Sequence, residues 1–203
     1  IAGIATDVGF TFGAARLTRL RELIMRENKK LCGHRLLRGA VIPGGMKANI
    51  SPEQAGNLEI ALKNILNEFA ETEILLLETE SLMDRVETTG RVLSQTAFDL
   101  GTVGPVAKAC GLKEDIRKNS PYCAYGNIPF TLITAREGDV AARMAVKSGE
   151  FKESVSIIIR ALENMPAGKI WEKPNPTAGS ALACVESARG EIAHWLKLSP
   201  EGK

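Results

Sequence analysis

Apolar residues recur at steps of three and four along three long stretches of the chain, and each stretch predicts an amphipathic helix. The first covers Phe12 to Leu31, with Leu17, Leu20, Ile24 and Leu31 on one face. Arg26, Lys29 and Lys30 lie in its last turns, where cations suit the negative end of the helix dipole, and Gly33 supplies a terminator. The second opens on "SPEQ": Ser51 as N-cap, Pro52 at the first helical position and Gln54 three residues after the cap. Leu58, Leu62, Ile65, Phe69, Leu76 and Met83 carry its stripe, with polar slots at Thr72 and Thr79. The pattern predicts one helix running to about Val86, roughly 50 Å long at the usual rise per residue. The third begins near Thr134, where Thr134 and Glu137 form a second candidate capping box. Its stripe is Val140, Met144, Phe151, Val155, Ile158 and Leu162, and it stops at Asn164.

The remaining segments lack this period. His34 to Gly45, ending in "PGG", reads as a connection of specific backbone shape. Short helices are expected around "SQTAFDLG" and in "GPVAKACGL", and "FTLIT" (Phe130 to Thr134) is a candidate strand. "WEKPNPTAG" is a loop by its prolines. "ACVES" and "EIAHWLKLS" then read as two short strands flanking the bend Ala188-Arg189-Gly190. The fold class expected is mainly α, long packed helices with a small β element at the C-terminal end. At 203 residues the chain fits a single domain.

Composition narrows the function. A net charge of +2 lacks the basic excess of a dedicated nucleic-acid binder. No apolar run approaches a membrane span, and no signal peptide pattern opens the chain. The chain begins at Ile1 without methionine, which reads as an internal start. Cys32, Cys110, Cys123 and Cys184 are far apart and form no CxxC pair, so buried free thiols are expected rather than a metal site.

The densest chemistry lies in "CVESARGEIAHW", Cys184 to Trp195. One reading makes Arg189 a guanidinium fixed on a turn by Glu186 and Glu191 and aimed at a bound centre, since arginine stays charged and its fork takes two partners. The other is a solvated hairpin with a surface ion pair worth ~0–1 kcal/mol, and spacing alone favours it. His194 is either a proton carrier or a half-buried, hydrogen-bonded histidine beside Trp195. The basic residues from Arg16 to Arg38 alternate with Glu22 and Glu27 and read as a solvated helix face. Glu78, Glu80, Asp84 and Glu87 read the same way. The glycines of "IPGG" and "GTVGP" match no phosphate-binding fingerprint and read as turns. "PYCAY" places Cys123 between two tyrosines in a packed loop.

Several blocks occur together in a fixed order: "TDVGFTFGAARLTRLREL", "LCGHRLLRGAVIPGG", "TTGRVLSQTAFDLGTVGPVAKACGL", "DIRKNSPYCAY", "EGDVAARMAVKSGEFKESVSII" and "VESARGEIAHW". Over nearly the whole chain they resemble the large subunit of membrane-associated, energy-converting nickel–iron hydrogenases of the formate-hydrogenlyase type. The homologous large peripheral subunit of respiratory complex I belongs to the same superfamily. The hydrogenase branch is similar to "APRGxLxHW" at the turn, and Arg189 with His194 and Trp195 favours it over complex I subunits, which usually carry lysine there. Ala188 departs from the proline of many members.

The resemblance implies the rest as expectations. The family's nickel–iron centre sits on an N-terminal CxxC and a C-terminal DPCxxC, and neither is present. The chain is therefore expected to be the central part of a large subunit, without metal or activity on its own. The parent would reduce protons to hydrogen or run the reverse. Arg189 would hang over the open side of the centre, Glu186 and Glu191 would orient it or pass protons, and His194 would be a supporting hydrogen-bond group. Partners would be a small iron–sulfur subunit and membrane ion-translocating subunits, with the complex on the cytoplasmic, inner face of the membrane. The alternatives are a complex I-type NADH:quinone oxidoreductase subunit, or a structural or assembly homologue that has lost the metal.

Overall fold

The computed structural model describes residues 1–200. Three long helices carry the fold: α2 (Thr11–Cys32), α3 (Pro52–Glu78) and α8 (Val140–Glu163). Around them lie α1 (Ala2–Asp7), α4 (Glu80–Val86), α5 (Ser94–Asp99), α6 (Gly104–Ala109) and α7 (Ile116–Asn119). Two antiparallel two-stranded sheets complete the fold, β1 (Val41–Ile42) with β2 (Gly45–Met46) and β3 (Gly179–Ser187) with β4 (Gly190–Leu198). About half of the chain is helical, so the fold is helical in its core and α+β at its C-terminal end.

The local signals work where their chemistry is satisfied. Ser51 Oγ accepts from the Gln54 N–H at 3.1 Å, and Gln54 Oε1 accepts from the Ser51 N–H at 2.9 Å. Gly33 ends α2 in the left-handed conformation, φ +81°, and donates to Lys29 O. The apolar stripes then meet: Leu17 and Leu20 of α2 pack with Ile65, Phe69 and Leu76 of α3, with Leu82 and Val86 of α4 and with Met144 of α8. The Phe69 and Phe151 rings lie 4.5 Å apart and tilted, a favourable aromatic geometry.

Four expectations change. The single 50 Å helix is two, because the chain breaks at Thr79, whose ψ of 93° is extended. Its hydroxyl donates to Leu75 O at 2.6 Å, the local bond by which threonine competes with the helix ladder. The third helix starts later, at Val140. Asp139 caps it, accepting from the Ala142 N–H at 2.8 Å, while Glu137 takes the neighbouring Arg136 N–H instead. Gly138 turns the chain into that cap at φ +69°, so close to Val92 O that a Cβ would sit 2.0 Å from it. In the α8 stripe, Ile157 is buried and Ile158 exposed. "FTLIT" forms no strand, since no described strand lies beside it and Glu153 accepts the Thr131 N–H.

Of the four thiols, Cys110 is buried, Cys32 and Cys184 are half-buried and Cys123 is exposed, so the expectation of uniformly buried cysteines is corrected.

Candidate functional site

The β3–β4 hairpin pairs nine residues on each side, from Gly179 with Leu198 to Ser187 with Gly190, and turns at Ala188 and Arg189. Only its turn end is docked on the helices. There the N-terminus of α6 meets the turn backbone: a Cβ on Gly104 would lie 2.5 Å from Arg189 O, and one on Gly190 would lie 2.8 Å from Val103 Cγ2. The glycines of "GTVGP" therefore allow two backbones to touch. Ser187 Oγ donates to Gly190 O at 2.7 Å, and Lys147 Nζ of α8 donates to Ala188 O at 3.3 Å.

These contacts fix the turn through its backbone and leave the Arg189 side chain exposed, in no ion pair among the described residues. The two glutamates do not hold it. Glu191 is exposed and sits beside the Cys184 thiol, whose pKa its hydrogen bond raises. His194 is exposed rather than half-buried, and its ring has no hydrogen-bond partner among the described residues. Trp195 beside it is 66% exposed.

Glu186 turns inward and belongs to a cluster with no local signature in the sequence. Lys108 of α6 is fully buried, and its ammonium donates to Asp115 Oδ2 at 2.7 Å, Glu150 Oε1 at 2.7 Å and Glu186 Oε1 at 3.1 Å. Three acceptors use the three protons of an ammonium. Arg117 grips Asp115 from the other side, Nε to Oδ1 at 2.9 Å and Nη2 to Oδ2 at 2.6 Å. Asp115 also caps α7, and Glu186 Oε2 accepts the Ile116 N–H. The Tyr122 hydroxyl accepts the Glu186 N–H at 3.0 Å.

Burial alone would raise the Asp115 pKa, but the hydrogen bonds from Arg117 and Lys108 outweigh it and bring it to about 2. Burial likewise opposes the charge on Lys108, and the bonds it donates to Asp115 and Glu150 reverse that and raise its pKa. The cluster joins α6, α7, α8 and β3 and so sets where the Arg189 turn sits. A cavity of about 570 Å³ adjoins it, with Lys147, Glu150, Glu186 and Arg117 on its polar wall and Leu17, Leu20, Phe69 and Phe151 on its apolar wall.

The residues do not fit a nickel–iron centre. The Cys110 thiol donates to Val92 O, the Cys32 thiol to Asn28 O and His34 O, and Cys184 lies against Glu191. Among the described residues, no group of three or more His, Cys, Asp or Glu side chains is arranged to hold a metal ion.

The family model described as the 49 kDa subunit of respiratory-chain NADH dehydrogenase matches residues 7–202. The chain belongs to this family. Among curated relatives, an NADH-quinone oxidoreductase subunit of Thermosipho melanesiensis is 28% identical over 203 residues, covering 96% of this chain and 55% of that protein. A carbon monoxide-induced hydrogenase of Rhodospirillum rubrum is 30% identical over 207 residues, covering 97% and 55%. The chain thus spans about half the length of the curated relatives it matches. A solved structure of a membrane-bound sulfane sulfur reductase, an archaeal respiratory membrane complex, shares the fold with a TM-score of 0.88 at 24% identity, over 97% of this chain and 56% of that one.

The family includes subunits of oxidoreductase complexes of both the complex I and the hydrogenase kind. No helix among the described residues is long and apolar enough to cross a membrane.

Proposed function

We propose that the chain is part of the large peripheral subunit of a membrane-associated oxidoreductase complex of the NADH-quinone oxidoreductase type. The observation that carries this is the match to the 49 kDa subunit family over residues 7–202. The NADH-quinone oxidoreductase relatives from Thermosipho melanesiensis and Flavobacterium johnsoniae, 28% and 31% identical, support it. This reverses the preference for the hydrogenase branch, because the matching family model and most of the similar curated relatives are NADH-quinone oxidoreductase subunits. In this reading the complex sits on the inner face of the membrane, takes electrons through a small iron–sulfur subunit and contacts membrane subunits that translocate ions.

Arg189 is the side chain suited to act at the reacting centre. It stands on a turn fixed through its backbone, and its guanidinium, exposed and in no ion pair among the described residues, is open to meet negative charge. Glu186 serves the turn by anchoring β3 to Lys108. Glu191 and His194 are both open to solvent on β4.

A second reading, a nickel–iron hydrogenase large subunit, has its own observations: the Arg189-Gly190 turn followed by His194-Trp195, and the 30% identical carbon monoxide-induced hydrogenase. That centre would need cysteines from outside this chain. The parent complex separates the two. NADH-dependent reduction of a short-chain quinone with no hydrogen evolution supports the first reading. Hydrogen evolution with one nickel per complex by elemental analysis overturns it in favour of the second.

A further inference from the structure

A cavity of about 770 Å³ lies where α2, α3 and α8 meet the β1–β2 hairpin and the turn at 123–128. This is the size of a small-molecule site. Leu31 of α2, Leu58 and Leu62 of α3, Ile158 and Leu162 of α8 and Met46 of β2 line it. Ile158, which leaves the buried stripe of α8, thus has a place: it is 39% exposed and faces this space.

The side chains that α3 and α8 contribute are all apolar. α2 contributes Glu27, Asn28 and Cys32, and each is satisfied by a neighbour. Glu27 accepts from the Lys30 ammonium at 2.7 Å, Asn28 Nδ2 donates to Arg35 O at 3.0 Å, and the Cys32 thiol donates to Asn28 O and His34 O. Water finds few partners on such a wall, and hydrocarbon is the chemistry that gains by entering it. Five segments make the lining, so it encloses a narrow body. Two non-glycine residues on it, Leu37 and Cys123, hold left-handed backbone at φ 56° and 49°. Such conformations are costly and cluster at ligand clamps. Met46 and Met165 add side chains that adapt to an apolar guest.

We propose that this cavity binds the hydrocarbon chain of one amphipathic molecule, a long-chain alcohol or a lipid, with its polar head left in solvent beside the exposed Lys47. The lining includes none of Lys108, Glu186 and Arg189, so the site stands or falls apart from the redox reading.

Calorimetric titration of the protein with hexanol, octanol and decanol tests this. One molecule per chain is expected, with binding about tenfold tighter for each two methylenes added. Ile158→Glu, at an exposed position where folding is not at stake, should weaken decanol binding at least tenfold, and Ala161→Phe should do the same by filling the space. Leu182→Ser, at an exposed apolar position on β3 outside the cavity, should leave it unchanged. Co-sedimentation with phosphatidylcholine vesicles tells the two sources apart. Retention that Ile158→Glu abolishes assigns the chain to a membrane lipid, and no retention, or retention unchanged in Ile158→Glu, assigns it to a free molecule. No binding of decanol overturns the proposal, as does equal binding by Ile158→Glu and the unaltered protein. So does a dimer in sedimentation that Ile158→Glu dissolves, which makes the cavity a contact between two copies.

Discussion

On the outer faces of α2 and α3, Arg16 meets Glu71 and Arg19 meets Glu68, with all four side chains at least 36% exposed. Inside the molecule, Lys108 meets Asp115, Glu150 and Glu186, and its own side chain is fully buried. The same residue types make both sets, and water decides what each is worth. On the surface, separating the partners returns both charges to solvent, so little is lost. In the interior, removing one partner leaves the others charged, desolvated and facing one another. The surface pairs decorate helices that pack through their apolar stripes. The buried set fixes one hairpin against three helices.

The sharpest way to break this contrast is Lys108→Met. It leaves three carboxylates converging on an apolar side chain, and the expected loss is about 3–5 kcal/mol in urea unfolding. A loss below about 1 kcal/mol would mean that water enters the cluster and that the two sets of pairs are alike. Glu186→Gln keeps an acceptor and removes one charge, so about 1–3 kcal/mol is expected. This loss should be accompanied by faster amide exchange in β3 near Ser187, because the hairpin loses its anchor to Lys108.

The acid limb gives a third test. The Asp115 pKa falls from an ordinary 3.8 to about 2 in the folded protein. A carboxylate shifted in this direction contributes stability above its unfolded pKa, which is lost as pH falls through its folded pKa. Stability should therefore decline between pH 4 and about pH 2, and Asp115→Asn should flatten that decline. Arg19→Ala, at the surface, is expected to cost ~0–1 kcal/mol, and less in high salt.

The contrast also explains what was legible in the sequence. Long helices are written in local spacing, so α2, α3 and α8 follow from their stripes, and the Ser51 capping box and the Gly33 terminator follow from a few adjacent residues. The break at Thr79 was not legible, because a threonine hydroxyl that bonds Leu75 O looks the same in sequence as one facing solvent. The start of α8 is hidden for a related reason. The Thr134 and Glu137 pattern points to an earlier start, while the tertiary bond from the Thr88 N–H to Asp139 Oδ2 helps hold the Asp139 cap. The buried cluster draws on positions 108, 115, 150 and 186, and no local rule relates them. The one cue was Lys108 itself, a lone cation in the small, apolar run "GPVAKACG". Glu186 lies three residues from Arg189 in sequence, but the bond from Lys108 draws its carboxylate inward, away from the arginine.

Arg189→Ala carries the smallest expected effect on stability and isolates the function of the turn. The backbone of the turn is held by Lys147, by Ser187 and by the close approach of Gly104, and none of these contacts uses the arginine side chain. Surface substitutions free of such roles stay within about 0.5 kcal/mol, and urea unfolding of Arg189→Ala should fall inside that range. A loss well beyond it would mean that the guanidinium is paired in solution and that the turn depends on its side chain. With stability unchanged, any loss of quinone reduction or hydrogen evolution in the parent complex comes from the charge itself. Arg189→Lys then asks whether a point charge suffices, since lysine keeps the charge and lacks the planar fork.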